Sequence, residues 1–201
     1  MNDITRLRKF VVEATRVIER YRGEEAASVA VIQTLLADLV AKDDWLPEEF
    51  AQPHPQYYRQ YLLYGDPLDR FSVVSFVWGP GQKTPVHDHR TWGVVGVLRG
   101  AEIGVNYTRA ADGSLKASAP ERLERGEVTA VSPTIGDIHT IANAYDDQVS
   151  ISIHVYGGNI GRIHRAVIDP ATGGEKEFVS GYNNDTIPNL WPSPHSEAAA
   201  A

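Results

Sequence analysis

The sequence predicts a mainly β domain, a sandwich or barrel, with N-terminal α-helices packed on its outside. Three observations lead there. Residues 1–56 carry apolar side chains at helical spacing, and residues 57–191 carry short β-branched segments set between Gly, Pro and Asp turns. The length of 201 residues suits one domain able to bury most of its unfolded apolar surface. No repeat of about 20–50 residues interrupts this plan.

The first helix follows from Ile4, Leu7, Phe10, Val11, Ala14, Val17, Ile18 and Tyr21, which recur at i, i+3, i+4. Asn2 or Asp3 is a candidate cap for its start. A second helix is predicted from about Glu24 to Ala41, with Val29, Ile32, Leu35, Leu36 and Leu39 on one side. A third, shorter one is expected after Pro47, because proline suits a first helical turn. None of these helices carries chemistry, so packing against a sheet is their expected role.

Six segments read as strands: FSVVSFVW (71–78), WGVVGVLRG (92–100), AEIGVNYTR (101–109), VTAVS (128–132), HTIANA (139–144) and VSISIHVYGG (149–158). GPGQ, ADGS, RGE, PTIGD and YDDQ separate them as turns. In the last strand, alternation puts Ser150, Ser152, His154 and Tyr156 on one face and Ile151, Ile153 and Val155 on the other. A polar face inside a barrel is costly unless it is hydrogen-bonded or lines a cavity. The segment after Trp191 reads as a loose, flexible tail.

Composition narrows the function classes. Nineteen basic against 26 acidic residues give a formal charge of -7, which argues against a nucleic-acid partner, whose phosphates need Lys and Arg. A local basic pocket for a small anion stays open. No apolar run is long enough to span a membrane, and MNDITRLRKF lacks the apolar core of a signal peptide, so a cytoplasmic location is expected. With 0 cysteines, disulfides, thiolate metal sites and a cysteine nucleophile are all excluded. Any metal must be held by His, Asp or Glu.

His87 and His89 lie in GPGQKTPVHDHRTWG. On a strand, residues two apart share a face at a separation of about 6–7 Å, so both imidazoles can reach one ion. Asp88 then faces away and is a poor ligand. His139, in PTIGDIHTIAN, is the best-placed third donor, since the Pro and Gly before it mark a tight turn able to aim it inward. The competing reading of His-x-His is chance or a solvated pair. His139 and His154, both in β-context, weigh for metal, whereas His54, His164 and His195 sit in loop-like or terminal text and read as surface residues. Imidazole suits Zn, Cu, Fe and Ni alike, so ligand type does not choose among them.

These residues resemble the cupin family. Its first motif, Gly-x5-His-x-His-x3,4-Glu-x6-Gly, is matched by Gly81, His87, His89 and Gly100, with Gly93 where cupins usually have a metal-binding glutamate. Its second is matched by Gly126, Pro133, Gly136, His139 and Asn143, with the spacers on either side of the proline each one residue longer. The resemblance implies a double-stranded β-helix, or jelly-roll, barrel.

Within cupins the chain is similar, over residues 44–191, to the thiol dioxygenases, the group that includes cysteine dioxygenase. Loss of the glutamate at Gly93, the three-His set and Ser152-x-His154-x-Tyr156 carry that similarity. It implies Fe(II) held by His87, His89 and His139, and a hydrogen-bonded Ser152–His154–Tyr156 relay ending with the tyrosine hydroxyl near iron. The mammalian type has a cysteine at the place of Gly93, cross-linked to the tyrosine; with no cysteine here, Tyr156 is unmodified. That type also holds the substrate carboxylate with an early arginine, where this chain has Gln60, with Arg59 beside it.

PVHDHRTWGVVGVLRGAE and the Ser-His-Tyr strand resemble the bacterial 3-mercaptopropionate dioxygenases. In these a glutamine stands at the position of Gln60 and an arginine after the relay strand takes the carboxylate. Arg165 is at the matching place, with Arg162 as the second candidate. The resemblance thus implies conversion of 3-mercaptopropionate and O2 to 3-sulfinopropionate. Trp78 and Trp92 are candidates for pocket walls or core. Two alternatives stay open: cysteine dioxygenase forming cysteine sulfinate, and a non-catalytic metal-binding cupin sensor. The missing glutamate and the relay count against other cupin chemistries, and no nucleophile elbow supports a hydrolase. The expected partners are a small thiol carboxylate and O2, with homo-oligomerisation left open.

Overall fold

The structure is a computed structural model, and it describes residues 4–191. The cap at Asn2 or Asp3, His195 and the tail after Trp191 lie outside the described residues. Helices α1 (Thr5–Arg20) and α2 (Glu25–Val40) come first, followed by a single 3-10 turn at Glu48–Phe50 in place of the third helix. Eleven strands follow among the described residues: β1 (Arg59–Gly65), β2 (Ser72–Trp78), β3 (Gly93–Arg99), β4 (Ala101–Arg109), β5 (Leu115–Ala117) and β6 (Glu121–Glu124), then β7 (Val128–Val131), β8 (His139–Asn143), β9 (Ser150–Tyr156), β10 (Arg165–Ile168) and β11 (Glu175–Phe178).

One sheet runs in the order β1-β2-β9-β3-β7; a second is built on β4, with β5, β6 and β8 as its partners; β10 and β11 form a hairpin. All strand pairs in these sheets are antiparallel. This is the predicted cupin arrangement: mainly β, with the helices outside. The helices cover one face of the five-stranded sheet. Leu7, Phe10, Val11 and Ala14 of α1 are buried together with Ile32, Leu36, Leu39 and Val40 of α2. They share one apolar cluster with Val73 and Val77 of β2, Val94 of β3, and Ile151, Ile153 and Val155 of β9. The sheet is closely approached where α2 crosses it: a Cβ at Gly96 would lie 3.1 Å from Leu36 Cγ and 3.2 Å from Val40 Cγ1.

All six predicted strands form, within one or two residues of the expected ends. Five more were not expected. β1 reads RQYLLYG, whose buried positions do not alternate because the register shifts between Leu62 and Tyr64. β5, β6, β10 and β11 have three or four residues each, too few to display a period.

Register decides which side chains meet inside. Residues directly opposite in an antiparallel pair share a face. Gln60 is opposite Phe76, Phe76 is opposite Ser152, and Val74 is opposite His154. Gln60, Phe76, Ser152 and His154 therefore look into the barrel, while Arg59, opposite Val77, looks the other way.

Candidate metal centre

The three predicted histidines converge. His87, His89 and His139 are all buried, and each can present one ring nitrogen within 4.8 Å of the other two. Their ring centroids are 4.7–4.9 Å apart. The route to this geometry differs from the expected one. His87 and His89 are not on a regular strand; His87 makes isolated bridges to His139 and Val167. The segment lies extended between β8 and β10, tied by reciprocal His87–His139 backbone bonds of 3.1 and 3.0 Å. Asp88 points away as expected: its carboxylate accepts from the Ala166 N–H at 2.7 Å and from Arg90 Nε at 3.2 Å.

Hydrogen bonds fix the tautomers of two rings. His87 Nδ1 lies 3.0 Å from the Pro85 carbonyl, which can only accept, so the proton is on Nδ1 and the Nε2 lone pair is free. His89 Nδ1 lies 2.9 Å from Asp137 Oδ1 and donates in the same way. Asp137 Oδ2 also accepts from the N–H groups of His89 and Arg90, at 3.0 and 2.9 Å. One carboxylate thus orients the ring and its loop, which turns at Arg90 with a φ of 56°. Burial pushes His87 down to about 4, and holds His89 and His139 well below the ordinary histidine range. All three are neutral at pH 7, the form in which imidazole binds metals. A buried set of three neutral donors, two of them with the outer N–H fixed by a hydrogen bond, fits a divalent ion.

The relay is formed as alternation predicts. Ser152 Oγ is 2.8 Å from His154 Nε2, and His154 Nδ1 is 2.8 Å from the Tyr156 hydroxyl. Phe76 stacks on His154 at 4.1 Å, and His89 stacks on Tyr156 at 5.5 Å. Burial raises the Tyr156 phenol well above its usual range, so it keeps its proton. Gly93 leaves room for this tyrosine: a Cβ there would lie 2.9 Å from Tyr156 Cε1.

The three histidines, Phe76, His154 and Tyr156 line one cavity of about 360 Å³, together with Trp78, Gln60 and Arg165. That volume is at the small end for small-molecule sites. Arg165 is only 4% exposed. Its Nη2 donates to Ser180 Oγ at 2.7 Å, its guanidinium lies 4.7 Å from the Phe178 ring centroid, and its Nε has no partner. Among the described residues no carboxylate pairs with it. A buried cation without an acid is costly, and here it faces the cavity. Gln60 is held by its side chain donating to the Gly181 carbonyl.

The remaining candidates lie elsewhere. Arg59 extends toward Tyr57, 5.6 Å from its centroid, and Arg162 is exposed, 3.5 Å from Asp69. His164 is exposed, and His54 is half-buried and stacked on Tyr57. Trp92 belongs to the helix-side core, whereas Trp78 lines the cavity. Sequence reasoning missed Asp137, which looks like one more turn residue in PTIGDIH, and Ser180 and Phe178, which seat Arg165.

A family model described as cysteine dioxygenase type I matches residues 5–166. The chain belongs to that family, a family of cupin thiol dioxygenases. Among solved structures, it is similar to an RmlC-like cupin protein from Desulfovibrio desulfuricans, at 22% identity over 53% of this chain and 87% of that one, with a TM-score of 0.40. A double-stranded β-helix protein from Klebsiella pneumoniae matches at 16% identity over 68% and 96%, with a TM-score of 0.43. Oxalate oxidase in complex with glycolate matches at 17% over 52% and 53%, with a TM-score of 0.42. No helix among the described residues is long and apolar enough to cross a membrane.

Proposed function

We propose that this protein is a non-haem Fe(II) thiol dioxygenase that converts 3-mercaptopropionate and O2 to 3-sulfinopropionate. The observation that carries this reading is the Arg165 guanidinium, which has no salt-bridge partner among the described residues, in the same cavity as three neutral histidines and a protonated tyrosine. His87, His89 and His139 would hold Fe(II), which would supply a cationic centre favouring the ionised form of a thiol and the redox chemistry for O2. Three neutral ligands leave that charge uncompensated, which favours a substrate that brings its own.

The chain's own groups then divide the work. Arg165 pairs with the substrate carboxylate through charge-assisted hydrogen bonds, and Ser180 and Phe178 hold its plane. Gln60, its amide already committed to Gly181, shapes the wall beside it. Trp78, Phe76 and Ile141 exclude water. Tyr156 offers a phenolic proton to the reacting end of the substrate, oriented by His154 and Ser152. Both atoms of O2 end on the thiolate sulfur, so R–S⁻ becomes R–SO2⁻ without another reductant.

The cavity also weighs against cysteine. Glu177 is the one carboxylate among its described lining residues, and it is engaged by Arg90 at 3.3 Å. An amino-acid ammonium would meet no free acid there. The test is oxygen uptake by iron-loaded protein with 3-mercaptopropionate, cysteine and cysteamine. The highest kcat/KM is expected for 3-mercaptopropionate. An equal or higher value for cysteine would replace the substrate, and no uptake with any thiol despite bound metal would favour a sensor.

A further inference from the structure

One buried ionisable group has no part in the site so far. Glu102 of β4 is 1% exposed, and neither carboxyl oxygen makes a hydrogen bond of normal geometry among the described residues. It does not line the cavity, whereas Trp78, which acts on it, does. The groups that act on it are the Ser152 hydroxyl and the Trp78 indole N–H, so it adjoins the inner end of the Ser152–His154–Tyr156 relay. Its register neighbours, Leu123 on β6 and Asn143 on β8, offer it nothing. Leu123 is apolar, and the Asn143 amide nitrogen already serves the carbonyls of Trp78, Gly79 and Gln148.

A carboxylate without a donor or counter-charge is the costly form in such a place, and a neutral carboxylic acid is the stable one. Burial accordingly pushes Glu102 up to about 7. β2 presents only Trp78, and β9 presents Ser152 with the titratable His154 and Tyr156 behind it; no charged side chain is among the groups acting on Glu102.

The polarity of a hydrogen-bond chain is set at its ends. Ser152 Oγ accepts from Trp78 Nε1 at 3.3 Å and has one lone pair left. If a neutral acid donates to that lone pair, Ser152 must give its own proton to His154 Nε2. His154 then carries its proton on Nδ1 and donates it to the Tyr156 oxygen, which frees the phenolic O–H to point into the cavity. If a carboxylate stands there instead, Ser152 donates backward, His154 carries Nε2–H, and the Tyr156 proton is drawn to His154 Nδ1. Tyr156 then faces the cavity as an acceptor.

We propose that Glu102 is a positioning residue at the head of the relay, whose protonated carboxyl donates to Ser152 and so makes Tyr156 a hydrogen-bond donor toward the substrate. The catalytic consequence rests on the dioxygenase reading above; the hydrogen-bond assignment does not.

The test has two readouts on the full chain. Infrared difference spectra of metal-free wild type against Glu102→Gln at pH 6 should show the C=O stretch of a protonated carboxylic acid, lost in the variant. Its absence overturns the proposal. In the iron-loaded protein, kcat for 3-mercaptopropionate should fall about tenfold per pH unit on the alkaline side of the Glu102 titration. Glu102→Gln, which cannot ionise, should keep the neutral-pH rate and lose that limb; an unchanged alkaline limb overturns the proposal. Should Glu102→Gln not fold, Ser152→Ala gives the answer. Loss of the acceptor should shift the acid band, and an unshifted band overturns the assignment. If wild type consumes no O2 with any thiol, the enzymatic reading fails, while the infrared result still decides the hydrogen bond.

Discussion

On one face of β9, Ile151, Ile153 and Val155 are buried against the helix-covered core. On the other, Ser152, His154 and Tyr156 are also buried, with His154 and Tyr156 lining the cavity and Ser152 behind them. The apolar face gains stability in proportion to the area it removes from water. The polar face has to recover its desolvation through hydrogen bonds, and its His154 faces a cavity into which His87, His89 and His139 bring three more neutral rings from other segments. One seven-residue strand therefore joins the part of the molecule that stabilises the fold to the part that strains it, and substitutions on its two faces should be separable by what they change.

The largest separation is expected at the metal. His139→Ala should lose stoichiometric iron and all metal-dependent oxygen uptake while the helix-side core stays intact. Retained stoichiometric iron, measured by metal analysis, would mean that another side chain is the third ligand.

Acid should act next, chiefly through the cavity face. His87 is held at about 4, against 6.5 for an ordinary histidine, and burial lowers His89, His139 and His154 as well. Between those pH values the unfolded chain binds protons at four histidines that the folded chain refuses, which outweighs the protons that buried Glu102 and Asp137 keep in the folded chain. The stability of metal-free protein is thus whole above about pH 6.5 and is lost as pH falls toward 4, with His87 alone accounting for about 3 kcal/mol. A Tm of the metal-free protein that is flat over this range would contradict the buried, neutral assignment.

Paired substitutions on β9 sharpen the contrast further. Ile153→Ala should cost about 2–5 kcal/mol of stability, read from denaturant unfolding, with kcat nearly unchanged. Tyr156→Phe should lower kcat by roughly 10²-fold or more, at a cost of only about 1–3 kcal/mol in stability from the unpaired His154 Nδ1. The reverse pattern would break the division between faces. The smallest effect is expected one shell out: Asp137→Asn should weaken metal affinity by roughly 10- to 100-fold, because the His89 ring loses its carboxylate acceptor. Equal affinity by competition with a chelator would make Asp137 a loop residue only.

Much of this was legible in the sequence because it follows from periods. The 3.6-residue pattern places α1 and α2 to within a residue or two, and alternation alone places Ser152, His154 and Tyr156 on one face. The three histidines were legible as a set, but not the path that joins them: His87 and His89 sit in an extended segment bridged to His139 and Val167, where a strand was expected. What stayed hidden depends on long-range register. Asp137 is 48 residues from the ring it orients, and Glu102 meets Ser152 only because β4 and β9 are brought together. Ser180 finds Arg165 because the β10–β11 hairpin folds back. Such partners have no local period, and a glutamate in AEIGVNYTR or an aspartate in a turn looks like ordinary surface text.

In the proposed reaction the three-His cavity adds both atoms of O2 to the sulfur of a thiol acid. Its most direct test is mass analysis of the product formed by iron-loaded protein from 3-mercaptopropionate under isotopically labelled O2. The expected product is 3-sulfinopropionate carrying two labelled oxygens, one product for each O2 consumed. Disulfide with labelled peroxide or water, or a sulfinate bearing a single label, would contradict it.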